Sequence, residues 1–416
     1  MVSLIGVILA FTMILVFIKH KINLGLAMTA AGILVGVTSG LGLSTLTLLL
    51  EGLFEPSTLE LLGIVVMIGI LGYILTETGS MEKILDSLFE LIYSPKILLM
   101  LAPGLISLLN VPGGAIMSAP MVDEIGNKVN LSPEEKTSIN LFYRHIWYFC
   151  YPLNQTLIMT GNLSGIEKNA LIAYSFPAMI VGILSSYMFN FRKINFSKKL
   201  DSDKKIKINS FKELLLNLMP LLTVLILGLV FKVNFLCALV VGIIIALLNN
   251  NERKKITSLK DRVFMGWNRA KIMIIPGINK GLVYSFAGIM MFRKVIEASG
   301  ILPVFSDFLI GLGIPLWILI IIVAVVASIA TGLSPAAIGL TIPLFMPLLP
   351  GGLANIGYIG LLYITATLGY LVSPIHLCLA LTKEYFEANL LGVYKEVAIP
   401  IASIIVVSII TTLILI

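Results

Sequence analysis

Between Asn110 and Pro120 the chain reads Asn-Val-Pro-Gly-Gly-Ala-Ile-Met-Ser-Ala-Pro, inside a long apolar run. Proline lacks an amide hydrogen and glycine is conformationally loose, so a helix does not continue through Pro112-Gly113-Gly114. A break at membrane depth leaves backbone groups unpaired. That is tolerated only where the backbone is buried in protein or lines a polar cavity. The device recurs from Thr331 to Pro343, as Thr-Gly-Leu-Ser-Pro-Ala-Ala-Ile-Gly-Leu-Thr-Ile-Pro. Both stretches carry Pro-x7-Pro, at Pro112/Pro120 and Pro335/Pro343, offset by 223 residues. Interrupted apolar segments in corresponding places of two halves point to a transporter binding site.

A bilayer is required by composition. Of 416 residues, 58% are hydrophobic and only 12% charged, whereas a soluble domain is about 25% charged. The net charge of +7 fits the positive-inside rule, because the basic residues occupy short loops between apolar spans. No basic face with interleaved aromatics is present, so nucleic acid is not an expected partner. Cys150, Cys237 and Cys378 form no CxxC, which argues against a disulfide framework or a zinc site. Val2–Ile18 is apolar, but its charges follow it (Lys19, His20, Lys21), unlike a cleavable signal.

Taken in order, spans are expected at Val2–Ile18, Ile22–Gly40 and Glu60–Thr78, with a loop over Leu41–Leu59. Ser80–Lys96 places Met81, Ile84, Leu85, Leu88, Leu91 and Ile92 at helical spacing and reads as an interfacial amphipathic helix. The first hairpin covers 97–126. Its arms of about 13 residues reach only ~20 Å, short of a ~30 Å hydrocarbon core, so it enters and returns on one side. Ser132-Pro133-Glu134-Glu135 then starts a helix, with an N-cap, an N1 proline and first-turn acids. That helix covers 132–163 and breaks at Tyr151-Pro152-Leu153-Asn154. A span follows at Ala170–Phe191. The pattern then restarts: a basic linker at 191–212, spans at Leu214–Val233, Phe235–Leu248 and Ile272–Met291, and an amphipathic segment at Arg293–Gly313. A second hairpin covers 314–349, a helix over 354–386 breaks at Ser373-Pro374-Ile375-His376, and a last span runs Val393–Ile416.

The fold class expected is therefore an all-α polytopic membrane protein of two repeats, 1–190 and 213–416. Gly79/Gly300, Pro112/Pro335, Pro152/Pro374 and Thr160/Thr382 are offset by 221 to 223 residues. Each half has five transmembrane helices, one of them Pro-broken, plus a re-entrant hairpin, so the repeats have inverted topology. With the linker in the cytoplasm, Lys19, Lys21, Lys83, Lys96, Lys128, Lys136 and the Arg253–Lys260 cluster lie inside. Both termini then lie outside a multi-pass cell membrane. Lys168, Lys232, Arg293 and Lys294 are exceptions to the charge rule.

This arrangement resembles the ion-transporter superfamily, which includes divalent-anion/sodium symporters, gluconate and C4-dicarboxylate permeases and arsenite permeases. The Pro-Gly-Gly-Ala-Ile-Met-Ser-Ala-Pro segment resembles an uncharacterised prokaryotic branch of it, a family built on a domain of unknown function. The resemblance implies an elevator-type carrier: a mobile transport domain of hairpins and broken helices, and a scaffold at a homodimer interface. The dicarboxylate symporters carry Ser-Asn-Thr at their hairpin tips. Here the tips read Asn110-Val111-Pro112-Gly113-Gly114 and Gly332-Leu333-Ser334-Pro335, so neither that specificity nor the family's sodium sites transfer residue by residue.

Broken helices expose N–H groups that suit anions and C=O groups that suit Na⁺ or a protonated donor. The expected substrate-binding residues are Asn110, Gly113, Gly114, Ser118, Arg144, Asn154, Gln155, Thr156, Thr331, Ser334, Ser373 and His376. Those expected to couple an ion are Asn110, Asn154, Thr160, Thr331, His376, Thr382 and Lys280. None is acidic, which favours an anionic or neutral substrate over a metal cation. Beyond a possible coupling Na⁺, no metal or cofactor is expected. Several have structural alternatives: Asn110 and Ser334 as helix caps, Ser118 and Thr341 bonded backward within a helix, Lys280 snorkelling to the interface. Arg144 either pairs with a carboxylate substrate, since charges within spans face the bundle interior, or is a second charge near the cytoplasmic side. The function expected is an ion-coupled (Na⁺ or H⁺) secondary transporter of a small organic anion. The alternatives are a passive channel, or an intramembrane enzyme, against which stands the lack of any HExxH or GxSxG.

Overall fold

In the computed structural model the described residues are 2–20, 22–92, 94–108, 114–192, 204–249, 274–301, 304, 307, 311 and 313–416. Among them there is no strand. The helices of the first half are α1 (Val2–Lys19), α2 (Leu24–Thr38), α3 (Ser44–Phe54), α4 (Pro56–Glu77), α5 (Ser80–Leu91), α6 (Pro95–Ser107), α7 (Gly114–Lys128), α8 (Pro133–His145), α9 (Gln155–Ser164) and α10 (Lys168–Asn190). The second half contributes α11 (Lys204–Leu225), α12 (Phe235–Leu248), α13 (Lys280–Ala298), α14 (Leu316–Thr331), α15 (Ser334–Phe345), α16 (Gly352–Val372), α17 (Leu377–Tyr385) and α18 (Leu390–Leu415). Among the described residues, five stretches are long and apolar enough to cross a membrane: Pro56–Glu77, Lys168–Asn190, Ile208–Val230, Gly352–Tyr385 and Leu390–Leu415.

Three elements differ from the sequence reading. The loop expected over 41–59 holds α3, because Thr45, Leu49 and Gly52 share one buried face at helical spacing, and that face packs on α13. The basic linker is shorter than expected, since α11 begins at Lys204. The span expected at Ile272–Met291 is interrupted and ends later: residues 274–277 are helical and 278–279 are not, and α13 starts at Lys280, where the Asn279 side chain accepts from the Leu282 N–H at 3.1 Å, and runs to Ala298. Lys280 is an exposed first-turn residue of α13. Asn110, Gly113, the cluster at 253–260 and residues 193–203 of the linker lie outside the described residues.

Helix pairs approach closely where side chains are small, the usual solution when lipid is as apolar as the core. On α2 and α13, a Cβ at Gly288 would lie 2.2 Å from the Gly25 carbonyl oxygen, so the two backbones touch. On α10 and α18, Tyr174 donates to the Ser408 carbonyl at 2.9 Å and bonds the Thr412 hydroxyl at 2.7 Å, while Ser403 donates to Ser185 at 2.8 Å. These contacts flank a central group made of α7, α8, α9, α14, α15, α16 and α17. Within it the halves interlock: α9 packs on α15, and α17 packs on α7 and α8. The helix that follows each break therefore packs on a short helix of the other half.

Candidate functional site

The first break follows from α8. Ser132 caps it reciprocally with Glu135, the Ser132 hydroxyl accepting from the Glu135 N–H at 3.2 Å and the Glu135 carboxylate from the Ser132 N–H at 2.9 Å. The helix tightens into a 3₁₀ turn at Ile146–Phe149. Pro152 cannot extend it, and the chain restarts as α9, capped by Asn154, whose side chain accepts from the Leu157 N–H at 3.1 Å. The second break lies between α16 and α17, with Ser373, Pro374 and Ile375 non-helical and His376 at the N-cap of α17. Ser373 donates to the Ile329 carbonyl at 2.7 Å, tying this break to α14. At the tip after α14, Gly332 has φ +64, a conformation a side chain disfavours, and a Cβ there would meet Ile375 at 2.6 Å.

The two breaks bring four rings together. His145 and His376 have ring centroids 4.8 Å apart at 81°. Tyr370 lies against His376 with ring centroids 3.8 Å apart and planes tilted by 40°, and Tyr148 and Tyr370 meet His145 edge-on at 5.1 and 5.5 Å. Both imidazoles are 1% exposed. His145 Nδ1 lies 2.7 Å from the Leu141 carbonyl, and His376 Nδ1 a longer 3.5 Å from that of Leu371. Neither Nε2 has a hydrogen-bond partner among the described residues. Arg144, next to His145, is 2% exposed, and its Nε and Nη1 are equally unpartnered. Among the described residues no carboxylate pairs with it. A buried guanidinium costs several kcal/mol unless an anion compensates it.

The family of unknown function designated DUF401 matches residues 3–415 of the chain. The chain belongs to that family. A search of curated proteins found no match.

In this DUF401 chain the other expected residues divide by what they touch. Thr156 and Ser334 bond each other at 2.8 Å across the halves, both buried. Thr382 accepts from the Asn140 amide at 3.2 Å, and the same amide donates to the Ala115 carbonyl at 3.1 Å, joining α8, α17 and α7. Thr160, Thr331, Thr341 and Ser118 bond backward to carbonyls of their own helices, at Thr156, Ala327, Ala337 and Ala115. Gln155 is half-buried beside the first break, and Gly114 opens α7. The residues expected at the site from the sequence do not include His145, Tyr148, Tyr370 or Cys378. The available signal was His145 adjoining Arg144 and Cys378 two residues past His376.

Proposed function

We propose that the protein is an ion-coupled secondary active transporter of a small organic anion, driven by Na⁺ or H⁺. The single observation that carries this reading is Arg144, buried with N–H donors unpartnered and no carboxylate paired with it among the described residues. An organic anion entering between the two breaks would supply the missing acceptors, and Arg suits a planar carboxylate through parallel hydrogen bonds. The N-termini of α9, α15 and α17 add free N–H groups of the same sign.

The transport architecture we infer has two inverted repeats of five passes and a re-entrant hairpin each. Substrate binds at the midplane between hairpin tips and broken helices, and these move as an elevator against a dimeric scaffold. Four observations support it: the paired Pro-x7-Pro segments, the reciprocal packing of α9 on α15 and α17 on α7, the left-handed Gly79 and Gly300, both at φ +66, and the resemblance to the ion-transporter superfamily. The linker is then cytoplasmic and both termini are outside. Coupling falls to the carbonyl ends and hydroxyls of the breaks, including Thr160, Thr331 and Thr382.

The test is thermal stabilisation of detergent-purified protein against carboxylates, amino acids and oxyanions, each with and without Na⁺ and across pH, followed by uptake into proteoliposomes. A ligand that binds the native state raises its apparent stability by about 2.7 kcal/mol at 100 times its Kd. One anion class that stabilises the protein and accumulates under a Na⁺ or H⁺ gradient is the expected result. No stabilisation by any anion and no gradient-driven flux would overturn the reading. Non-saturating flux insensitive to gradients would replace it with a channel.

A further inference from the structure

The hydrogen bonds at the two histidines set their tautomers. A carbonyl oxygen only accepts, so each Nδ1 facing the Leu141 and Leu371 carbonyls carries the proton. Each neutral ring then presents a bare lone pair at Nε2. Both lone pairs are buried and without a donor among the described residues. Cys378 stands at the same place: one ligand atom from each of His145, His376 and Cys378 lies within 4.8 Å of the other two. Cys378 is half-buried and forms no disulfide.

We propose that His145, His376 and Cys378 form a binding site for a soft monovalent d¹⁰ metal ion of the Cu⁺ or Ag⁺ type. Three features of the cluster lead there. First, an imidazole that binds a metal through one nitrogen characteristically donates its other N–H to a carbonyl or carboxylate, which is the pattern at both rings. Second, thiolate with imidazole is a soft donor set, which selects Cu⁺ or Zn²⁺ over hard cations. Third, charge separates those two. A monovalent ion on one thiolate and two neutral imidazoles leaves the site neutral, whereas Zn²⁺ leaves it at +1 beside the buried guanidinium of Arg144, a costly addition in low dielectric. Binding exchanges one proton for the metal: the S–H bond of Cys378 breaks, its proton leaves to solvent, and the M–S bond forms with no change of oxidation state. Metal–ligand bonds of about 2.0–2.3 Å place the donors of a trigonal site about 3.5–4 Å apart, so the cluster closes by roughly 1 Å around the ion.

This inference stands independently of the transport reading. The test uses the full chain in detergent with Cys150→Ser and Cys237→Ser, so that Cys378 is the sole thiol. Ag⁺, which is redox-inert, is titrated anaerobically against a competing chelator, and Zn²⁺ separately; protection of Cys378 from maleimide gives a second readout. One equivalent of Ag⁺ per chain is expected, with Zn²⁺ much weaker. Cys378→Ser and His376→Gln should each weaken Ag⁺ binding by about 100-fold or more, and His376→Gln should also lose maleimide protection. Retention of the parent melting temperature shows that each variant is folded. Ag⁺ uptake no greater than that of Cys378→Ser overturns the site. Uptake unchanged in folded His376→Gln does the same, and tighter binding of Zn²⁺ than of Ag⁺ overturns the monovalent assignment.

Discussion

Thr156 and Ser334 share a hydrogen bond of 2.8 Å across 178 residues of sequence, each buried where a helix begins beside a break. Thr156 lies in the first turn of α9, and Ser334 opens α15 at the second hairpin tip. The bond therefore joins α9 to α15, elements far apart in the chain. Thr156→Val leaves the Ser334 hydroxyl without its partner, at a cost of about 1–3 kcal/mol. The double variant Thr156→Val/Ser334→Ala should cost less than the sum of the singles, since both partners are then removed. Melting temperatures of the four proteins check this; strict additivity would mean that the two hydroxyls do not interact.

Arg144 is expected to trade stability for binding. Arg144→Met removes an unpaired buried charge, so the ligand-free protein should melt higher than wild type. The same variant should lose stabilisation by the anion that stabilises wild type, its affinity falling by roughly 30-fold or more. Arg144→Lys should not restore it, because an ammonium lacks the planar fork. Thermal shifts with and without anion separate the two effects. A ligand-free Arg144→Met that melts lower than wild type would show that the guanidinium is already compensated.

The Gly25–Gly288 contact sets how closely α2 and α13 approach. Gly288→Ala drives a methyl to within 2.2 Å of a backbone oxygen that cannot rotate away, and overpacking of this kind costs about 1–3 kcal/mol. Gly281→Ala, on the same helix, meets nothing nearer than 3.5 Å and should change stability by no more than about 0.5 kcal/mol. Thermal melting of the two variants side by side is the comparison; equal melting points would remove the steric argument.

Glu134 gives a pH dependence outside the spans. Its carboxylate accepts from the Asn389 N–H at 3.1 Å, which ties the start of α8 to the cap of α18 and, as the main cause, holds its pKa below the ordinary value. A depressed carboxylate contributes stability that is present above its unfolded pKa and lost as pH falls through the folded one. Wild type should therefore melt above Glu134→Gln at neutral pH, by on the order of 1 °C for so exposed a pair. The gap should close as pH is lowered below about 4.5. A gap that is constant with pH would assign the effect to packing instead.

The membrane class, the all-helical fold and the places where helices must stop were legible in the sequence, because each rests on a local property. Apolar runs require a bilayer, Pro152 and Pro374 end helices whatever surrounds them, and Ser132-Pro133-Glu134-Glu135 is a start signal complete in itself. Local signals misplaced α3 and α13, where buried faces and an Asn279 cap set the helix bounds. The site was legible only as two breaks with polar flanks. That His145 would meet His376, that Cys378 would join them, and that Thr156 would bond Ser334 depended on how the halves dock. Docking is decided by packing between residues far apart in the chain, and no periodicity or motif records it. Burial is likewise a tertiary property: the same arginine at an interface would be solvated, and only the packing around α8 leaves Arg144 Nε and Nη1 without a partner among the described residues.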